Sequence, residues 1–139
     1  TSTLARIARG SGEVLELGNL DALRDWSYAG DVVRGMWMSL THDKPGSYIF
    51  AAGEAHTVRD MVDAAAAALG MHLVWQGSGV EQKALDAAGN TIVAVNPTFY
   101  RPIEATTRQG DISHTVQELG WKPDTTFSEL VAMMVAAEK

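Results

Sequence analysis

Five stretches of the chain carry apolar residues at the three- and four-residue spacing of an amphipathic helix. A glycine or proline follows each of the first four stretches within a few residues and ends the helix. The helices predicted in this way are Leu4–Ala8, Asp31–Leu40, Val58–Leu69, Ile112–Leu119 and Phe127–Ala137. On the second helix, Val33, Trp37 and Leu40 share one face, with Met36 beside them.

Four shorter runs predict strands, because they are apolar and lie between turn-forming residues. They are Val14–Leu17, Ser47–Ala52, Leu73–Trp75 and Thr91–Val95, of which the first can also be an extended segment that leads into Gly18. The run Ser47–Ala52 lies between glycines and is typical of a strand that is buried on both faces. We therefore expect it to belong to a large sheet whose other strands are not in this sequence. Turns are expected at Gly77–Gly79 and Asp86–Asn90.

Side chains that accept hydrogen bonds predict where the helices begin. Thr57 and Asp60 have the spacing of a capping box, in which each side chain accepts the backbone N–H of the other residue. For the other helices the sequence leaves pairs of candidate residues open. These pairs are Asp25 or Ser27, Asp111 or Ser113, and Thr125 or Thr126.

The composition fits one globular domain and excludes several classes of protein. The 139 residues are 46% hydrophobic, which allows a buried core of ordinary size. A formal net charge of −6 argues against nucleic acid or an anionic membrane as partner, and the absence of cysteine excludes disulfides. No apolar run reaches the ~18 residues of a membrane span. The first residues contain neither an initiator Met nor a secretory signal, so we expect a cytoplasmic protein whose sequence begins here within a helix.

Three motifs resemble those of a known enzyme family. The segment Leu17–Trp26 reads LGNLDALRDW, Phe99–Glu104 reads FYRPIE, and Leu119–Pro123 reads LGWKP. Their order and spacing resemble those of the GDP-mannose 4,6-dehydratases, which belong to the extended short-chain dehydrogenase/reductase group. The resemblance runs from Thr1 to about Met134. It implies an α/β fold that comprises the C-terminal part of a Rossmann-like domain and the smaller substrate-binding lobe.

The resemblance also implies ligand-binding roles for charged residues in two of the motifs. Arg24 and Arg101 would contact the diphosphate of a GDP-sugar, because a guanidinium offers paired donors to phosphate oxygens. Glu104 would accept hydrogen bonds from a ribose. One shared diphosphate implies guanidinium carbons roughly 5–10 Å apart. The alternative is that Arg24 pairs with Asp21 or Asp25, and Arg101 with Glu104, on separate surfaces.

The residues around these motifs add one further candidate and two departures from the family. Gly18 allows a close approach of the main chain to a ligand, while Asn19 fits either a contact to a base edge or the support of a turn. Asn96 and Thr98 stand where the family commonly has D-P-R. Two charges beside the ribose-binding segment are therefore lost.

The sequence lacks the residues that the family's chemistry needs. No GxxGxxG or GxGxxG motif follows a strand, and no Tyr-x-x-x-Lys pair is present. The four histidines are not spaced as metal ligands, so we expect no metal site. We therefore predict neither an NADP site nor a catalytic residue within residues 1–139, and expect both in a preceding portion of a longer, homo-oligomeric enzyme.

The sequence thus predicts that residues 1–139 are the GDP-sugar-binding portion of a GDP-mannose 4,6-dehydratase. As the resemblance implies, the full enzyme would use NADP to convert GDP-mannose to GDP-4-keto-6-deoxymannose by oxidation, elimination of water and reduction. This portion alone is expected to be inactive. Two other interpretations stay open: a different NAD(P)-dependent sugar-nucleotide epimerase or dehydratase, and a stand-alone, non-catalytic nucleotide-binding or interaction domain.

Overall fold

A computed structural model of the chain describes residues 1–101 and 108–138. The chain divides into two compact units. The first unit comprises Thr1–Ala22, Thr57–Ala105 and Val131–Lys139, and the second unit comprises Leu23–His56 and Thr106–Leu130. The chain therefore passes from the first unit to the second and back twice.

The described residues form five α-helices and six strands. The helices are α1 (Ser2–Ala8), α2 (Ala29–Thr41), α3 (Val58–Ala68), α4 (Ser113–Leu119) and α5 (Phe127–Ala136). The strands are β1 (Leu15–Leu17), β2 (Leu23–Arg24), β3 (His56–Thr57), β4 (Val74–Gln76), β5 (Lys83–Leu85) and β6 (Thr91–Val95). The predicted helices are all present, with ends that differ from the prediction by one or two residues.

A four-stranded sheet with the order β1-β6-β5-β4 belongs to the first unit. β1 and β6 are parallel, with Leu15 opposite Val93, while β5 is antiparallel to both of its neighbours. Val93 and Ala84 are completely buried, and Leu4 of α1 and Ala65 of α3 are only 1% exposed. The core of this unit is thus made of small and branched side chains from helices and strands.

Helix α3 confirms the prediction made from Thr57 and Asp60. The Thr57 hydroxyl accepts a hydrogen bond from the Asp60 N–H at 3.0 Å, and the Asp60 carboxylate accepts one from the Thr57 N–H at 2.8 Å. Gly70 follows the helix with a φ of +72°, a conformation that other residues rarely adopt. Both ends of α3 are determined by residues adjacent in the sequence, so the sequence pattern was enough to predict them.

The hairpin that leads into β6 also follows the prediction. The Asp86 carboxylate accepts hydrogen bonds from the N–H groups of Ala88 and Asn90 at 2.9 and 2.8 Å. Such a side chain replaces the backbone partner in a tight turn. The strand before it, β5, was not predicted, because only Ala84 of its three residues is apolar and buried.

The predicted strand Ser47–Ala52 is wrong, since no strand is present there. Ile49 instead exchanges two hydrogen bonds with one side chain: its N–H donates to the Thr115 hydroxyl at 3.0 Å, and that hydroxyl donates to the Ile49 carbonyl at 2.8 Å. The Ala52 and Gly53 N–H groups donate to the Asp25 carboxylate. Side chains distant in sequence thus take the place of a neighbouring strand.

The predicted caps succeed for one helix and fail for another. Thr126 accepts from the Glu129 N–H at 3.3 Å and Glu129 accepts from the Thr126 N–H at 2.8 Å, so Thr126 begins α5 as expected. Helix α2 begins after Tyr28, which makes no capping hydrogen bond through its side chain. Neither Asp25 nor Ser27 caps it: the Ser27 hydroxyl donates to Asp25, whose carboxylate accepts N–H groups from distant segments.

The core of the second unit is built around the tryptophan of the LGWKP motif. Trp121 is completely buried, and its indole N–H donates to the Asp31 carbonyl at 2.9 Å. The Phe50 ring packs edge-on against it, with ring centroids 5.0 Å apart. A Cβ at Gly35 of α2 would lie 2.4 Å from the Phe50 ring, so only glycine permits this approach.

A buried carboxylate anchors the start of α2. Asp31 is 7% exposed and accepts hydrogen bonds from the Thr125 N–H at 3.0 Å and from Arg34 at 3.4 Å. Burial alone would raise the pKa of Asp31, but these hydrogen bonds outweigh it and hold the pKa below its ordinary value. Asp31 therefore stays ionised while it ties α2 to the segment before α5.

The apolar face predicted on α2 is exposed among the described residues. Val33 is 62% exposed, Met36 52%, Trp37 68% and Leu40 82%. A contiguous patch of large apolar side chains is uncommon on the surface of a monomeric soluble protein. No helix of the described residues is long and apolar enough to span a membrane.

Candidate functional site

A tight turn after β6 presents the FYR part of the second motif. The Asn96 side chain accepts the Thr98 N–H at 2.9 Å, and the Asn96 carbonyl accepts the Phe99 and Tyr100 N–H groups at 3.0 and 3.1 Å. The Asn96 N–H in turn donates to the Leu17 carbonyl at the end of β1 at 2.8 Å. The end of β1 therefore positions the turn that leads to Arg101.

The departure at Asn96 has a physical account. Its amide nitrogen donates to a Glu16 carboxylate oxygen at 3.0 Å, a hydrogen bond that an aspartate could not donate. An aspartate at this position would place two carboxylates in contact. Asparagine thus holds the turn with a neutral side chain.

Gly18 is needed for contact within the chain. A Cβ at this position would lie 2.5 Å from the Phe99 carbonyl oxygen, which is closer than real Cβ atoms come. The close approach foreseen for a ligand is therefore made, at least on this side of Gly18, by the turn that carries Phe99. The LGN segment and the FYR segment meet here within the first unit.

Asn19 supports a turn in the described structure. Its side-chain oxygen accepts the Asp21 N–H at 3.0 Å, and the residue is half-buried. This contact matches one of the two roles considered for Asn19. A contact to a base edge, the other role, stays a prediction.

Arg101 is exposed at the end of the described segment, and Glu104 lies outside the described residues. Phe99 before it is 57% exposed, while Tyr100 is half-buried. An exposed arginine that follows a rigid turn is available to an anion from solvent. Arg101 belongs to the first unit and Arg24 to the second, and their convergence on one diphosphate stays a prediction.

Arg24 lies half-buried on β2, where its Nη1 donates to the Leu23 carbonyl at 2.7 Å. This bond draws one edge of the guanidinium to the backbone. The indole nitrogen of Trp26, two residues later, is buried and has no hydrogen-bond partner within the described part of the chain. The RDW segment thus holds three half-buried side chains in the second unit.

Asp25, between these two residues, organises the second unit around the motif. Its carboxylate accepts N–H groups from Ala52 at 2.7 Å, Gly53 at 3.0 Å and Gly110 at 3.1 Å. The donors lie 27 to 85 positions away in the sequence. Sequence reasoning considered Asp25 only as a cap or an ion partner, and no local signal could have identified donors so distant.

An open cavity of about 410 Å³ lies beside the residues that Asp25 holds. It is lined by Gly53 and by residues 109–113. The Gln109 side chain donates to the Gly53 carbonyl and joins the two walls. Two hydrogen bonds from Ser113 lower the pKa of Asp111, which also lines the cavity. The bond from the Ser113 side chain has the larger effect, and the bond from its backbone the smaller one. The sequence motifs did not point to this cavity.

Comparison with known proteins decides the family. Residues 1–134 match the family described as GDP-mannose 4,6 dehydratase. The chain belongs to the GDP-mannose 4,6-dehydratase family. The matched region contains Asn19, Arg24 and Arg101 as well as the LGWKP motif. The family resemblance predicted from the motifs is therefore confirmed.

Relatives of known function share this similarity over nearly the whole chain. The GDP-mannose 4,6-dehydratase of Sinorhizobium fredii is 44% identical over 136 residues, which cover 97% of this chain and 39% of that protein. The human GDP-mannose 4,6 dehydratase is 39% identical over 137 residues, covering 98% and 37% respectively. The chain thus spans less than two fifths of the length of these family members.

Solved structures show the same fold at low sequence identity. A putative epimerase from Burkholderia cenocepacia superposes with a TM-score of 0.74 at 21% identity, over 97% of this chain and 39% of that one. RMD from Pseudomonas aeruginosa, solved in complex with NADPH, gives a TM-score of 0.70 at 19% identity, over 97% and 39%. The predicted fold class is confirmed: the dehydratase-family chain has part of the α/β fold of the extended short-chain dehydrogenases/reductases.

Proposed function

We propose that residues 1–139 bind the GDP moiety of GDP-mannose, as the substrate-side portion of a GDP-mannose 4,6-dehydratase. The observation that carries the proposal is the family match over residues 1–134, which includes both arginine motifs. Arg24 and Arg101 bind the diphosphate, Glu104 binds a ribose, and Asn19 contributes through its amide nitrogen. The resemblance of the motifs to those of the family implies these roles.

The proposed roles follow from the chemistry of the side chains. Two guanidinium groups neutralise a diphosphate and fix its orientation through paired N–H donors. The turn at Asn96 supports this role for Arg101, because it holds the preceding residues against Gly18. Asp25 supports the role of Arg24, because it anchors the backbone directly after it. Binding and orientation of the nucleotide are therefore the contribution of this portion.

The described residues do not fit NADP. A dinucleotide site needs a glycine-rich turn from a parallel strand into a helix N-terminus. Within the four-stranded sheet, the parallel strands are β1, which leads through the Gly18 turn to β2, and β6, which leads to the Asn96 turn. The space beside Gly18 is filled by the Phe99 carbonyl. We therefore assign no cofactor contact and no chemical step to these residues.

Calorimetric titration of the 139-residue chain with GDP and GDP-mannose tests the proposal. We expect binding of both ligands, and weaker binding by about 10- to 100-fold in Arg24→Ala and in Arg101→Ala, the range for a hydrogen bond to a charged group. Arg6→Ala is the matched control, because Arg6 is an exposed arginine that pairs with Glu13 at 2.9 Å on the surface. Unchanged affinity in both site variants would contradict the proposal.

Two further arms separate the alternatives. UDP in place of GDP tests the base: equal affinity for both favours a different sugar-nucleotide enzyme. Incubation of the chain with GDP-mannose and NADP tests catalysis, and we expect no conversion. Product above the level of Arg24→Ala would show that this portion has chemistry of its own.

A further inference from the structure

The apolar face of α2 is large enough to bind a partner. Val33, Met36, Trp37 and Leu40 follow one another at spacings of three and four residues, so their side chains are neighbours along one side of the helix. Between 52% and 82% of each of these residues is exposed. At about 200 Å² for a large side chain, the face presents roughly 500 Å² of apolar surface. Apolar patches of this size often serve as interaction sites.

This face carries no charge. The two charged residues of α2 are Asp31, which is buried, and Arg34, which pairs with Asp124 at 2.9 Å and donates to the Lys122 carbonyl at 2.7 Å. The whole chain has a formal net charge of −6, so two copies repel each other where their surfaces are acidic. At the apolar face of α2, two copies can meet without desolvating a charge.

The face also matches itself in an antiparallel arrangement. A two-fold axis between Met36 and Trp37 brings Val33 opposite the second copy's Leu40, and Met36 opposite its Trp37. Each pair then joins a smaller side chain to a larger one, which suits the packing of side chains between two helices. Antiparallel helices also bring the positive N-terminal end of one helix near the negative C-terminal end of the other.

We propose that the apolar face of α2 is a homodimer interface, on which α2 of a second copy packs in antiparallel orientation. Two such faces bury about 1,000 Å² together, which is near the lower limit for a specific interface. A reversible dimer is therefore expected, in which each copy keeps its own fold. The association does not involve Arg24 or Arg101, so it can be tested separately from nucleotide binding.

Sedimentation equilibrium of the 139-residue chain over a range of concentrations measures the association. We expect a monomer–dimer equilibrium, and we expect Leu40→Glu to raise the dissociation constant by at least about tenfold, because each copy would bring a charge into the apolar contact. Val80→Glu is the matched control, since it adds the same charge at an exposed valine of the first unit. Far-ultraviolet circular dichroism checks that each variant keeps its fold.

Single engineered cysteines test the orientation, because the chain contains no cysteine of its own. A disulfide needs Cα atoms within about 7 Å of each other. Met36 lies beside the two-fold axis, so Met36→Cys should form a covalent dimer on oxidation. Val33→Cys and Leu40→Cys should form little dimer separately, but a covalent dimer when the two variants are mixed. Ala88→Cys, at an exposed turn, should stay monomeric.

Three results would overturn the proposal. A chain that stays monomeric at every concentration has no interface of this kind, and its α2 face is then left for a different partner. A dimer that Leu40→Glu does not weaken uses another surface. Covalent dimers formed by Val33→Cys alone and by Leu40→Cys alone would show that the two copies of α2 are parallel.

Discussion

The replacement of Asp25 is the most direct test of how the second unit is held together. Asp25→Asn preserves the shape of the side chain but converts one carboxylate oxygen to an NH₂ group. One carboxylate oxygen accepts the Ala52 N–H at 2.7 Å, and the other accepts both Gly53 and Gly110 at 3.0 and 3.1 Å. The asparagine amide has only one oxygen, so it can accept the N–H groups at only one of these two positions. At the other position its NH₂ group faces an N–H donor.

The magnitude follows from the number of bonds lost. A hydrogen bond to a charged acceptor contributes about 1.5–3 kcal/mol, and the three bonds are partly buried, so water replaces part of each. We expect Asp25→Asn to lower the free energy of unfolding by about 2–4 kcal/mol, and Asp25→Ala by about 3–5 kcal/mol. Such losses are large beside the total stability of a small domain.

Urea unfolding monitored by tryptophan fluorescence measures the loss, with Asp21→Asn as the matched control. Asp21 is exposed and should change stability by less than about 0.5 kcal/mol. Amide hydrogen exchange at Gly53 and Gly110 gives a local measurement, and protection should fall at both in Asp25→Asn. A variant with parental stability and parental protection would refute the reasoning.

Three further predictions concern stability and association. Gly35→Ala should destabilise the chain by about 1–2 kcal/mol in urea unfolding, because the added Cβ would lie 2.4 Å from the Phe50 ring. Helix propensity alone predicts the opposite, a gain in stability of about 1 kcal/mol, so a more stable variant would contradict this prediction. The folded-state pKa of Asp31 is lowered, so its contribution is complete above the ordinary aspartate pKa of about 3.9 and is lost as the pH falls through the lower folded-state value. Asp31→Asn should therefore reduce the pH dependence of the urea midpoint below about pH 4, and parallel curves for both proteins would refute it. Because the apolar face of α2 is exposed, we expect the chain to self-associate and to show a faster-sedimenting fraction in sedimentation velocity. Trp37→Glu should reduce this fraction relative to the parent protein at equal concentration.

Features fixed by neighbouring residues could be predicted from the sequence. The capping box of Thr57 and Asp60 and the turn at Asp86 depend on residues no more than four positions apart. Features fixed by distant partners could not. The apolar run Ser47–Ala52 has the composition of a strand, but its hydrogen bonds go to Asp25 and Thr115, which the sequence pattern does not bring near it.

The candidate site divides in the same way. The family motifs identified Arg24 and Arg101 because these residues lie within contiguous, recognisable segments. Asp25 lies in the same segment as Arg24, but its hydrogen bonds to Ala52, Gly53 and Gly110 depend on the tertiary fold. The role of Asn96 could not be predicted either. The sequence shows that a charge is missing at this position, but it does not show that the carboxylate of Glu16 lies nearby and accepts a hydrogen bond from the neutral amide.

The parallel pairing of β1 with β6 has a consequence for how the first unit folds. Leu15 lies opposite Val93, so this contact closes a loop of 78 residues (93 minus 15), whereas β4, β5 and β6 are joined by short turns. Loop closure has to be completed before such a contact contributes, which slows folding. We expect the meander of β4, β5 and β6 to form first and β1 to join it after the rate-limiting barrier. Truncation of Leu15 should then accelerate unfolding and leave the folding rate nearly unchanged, while truncation of Val93 should slow folding.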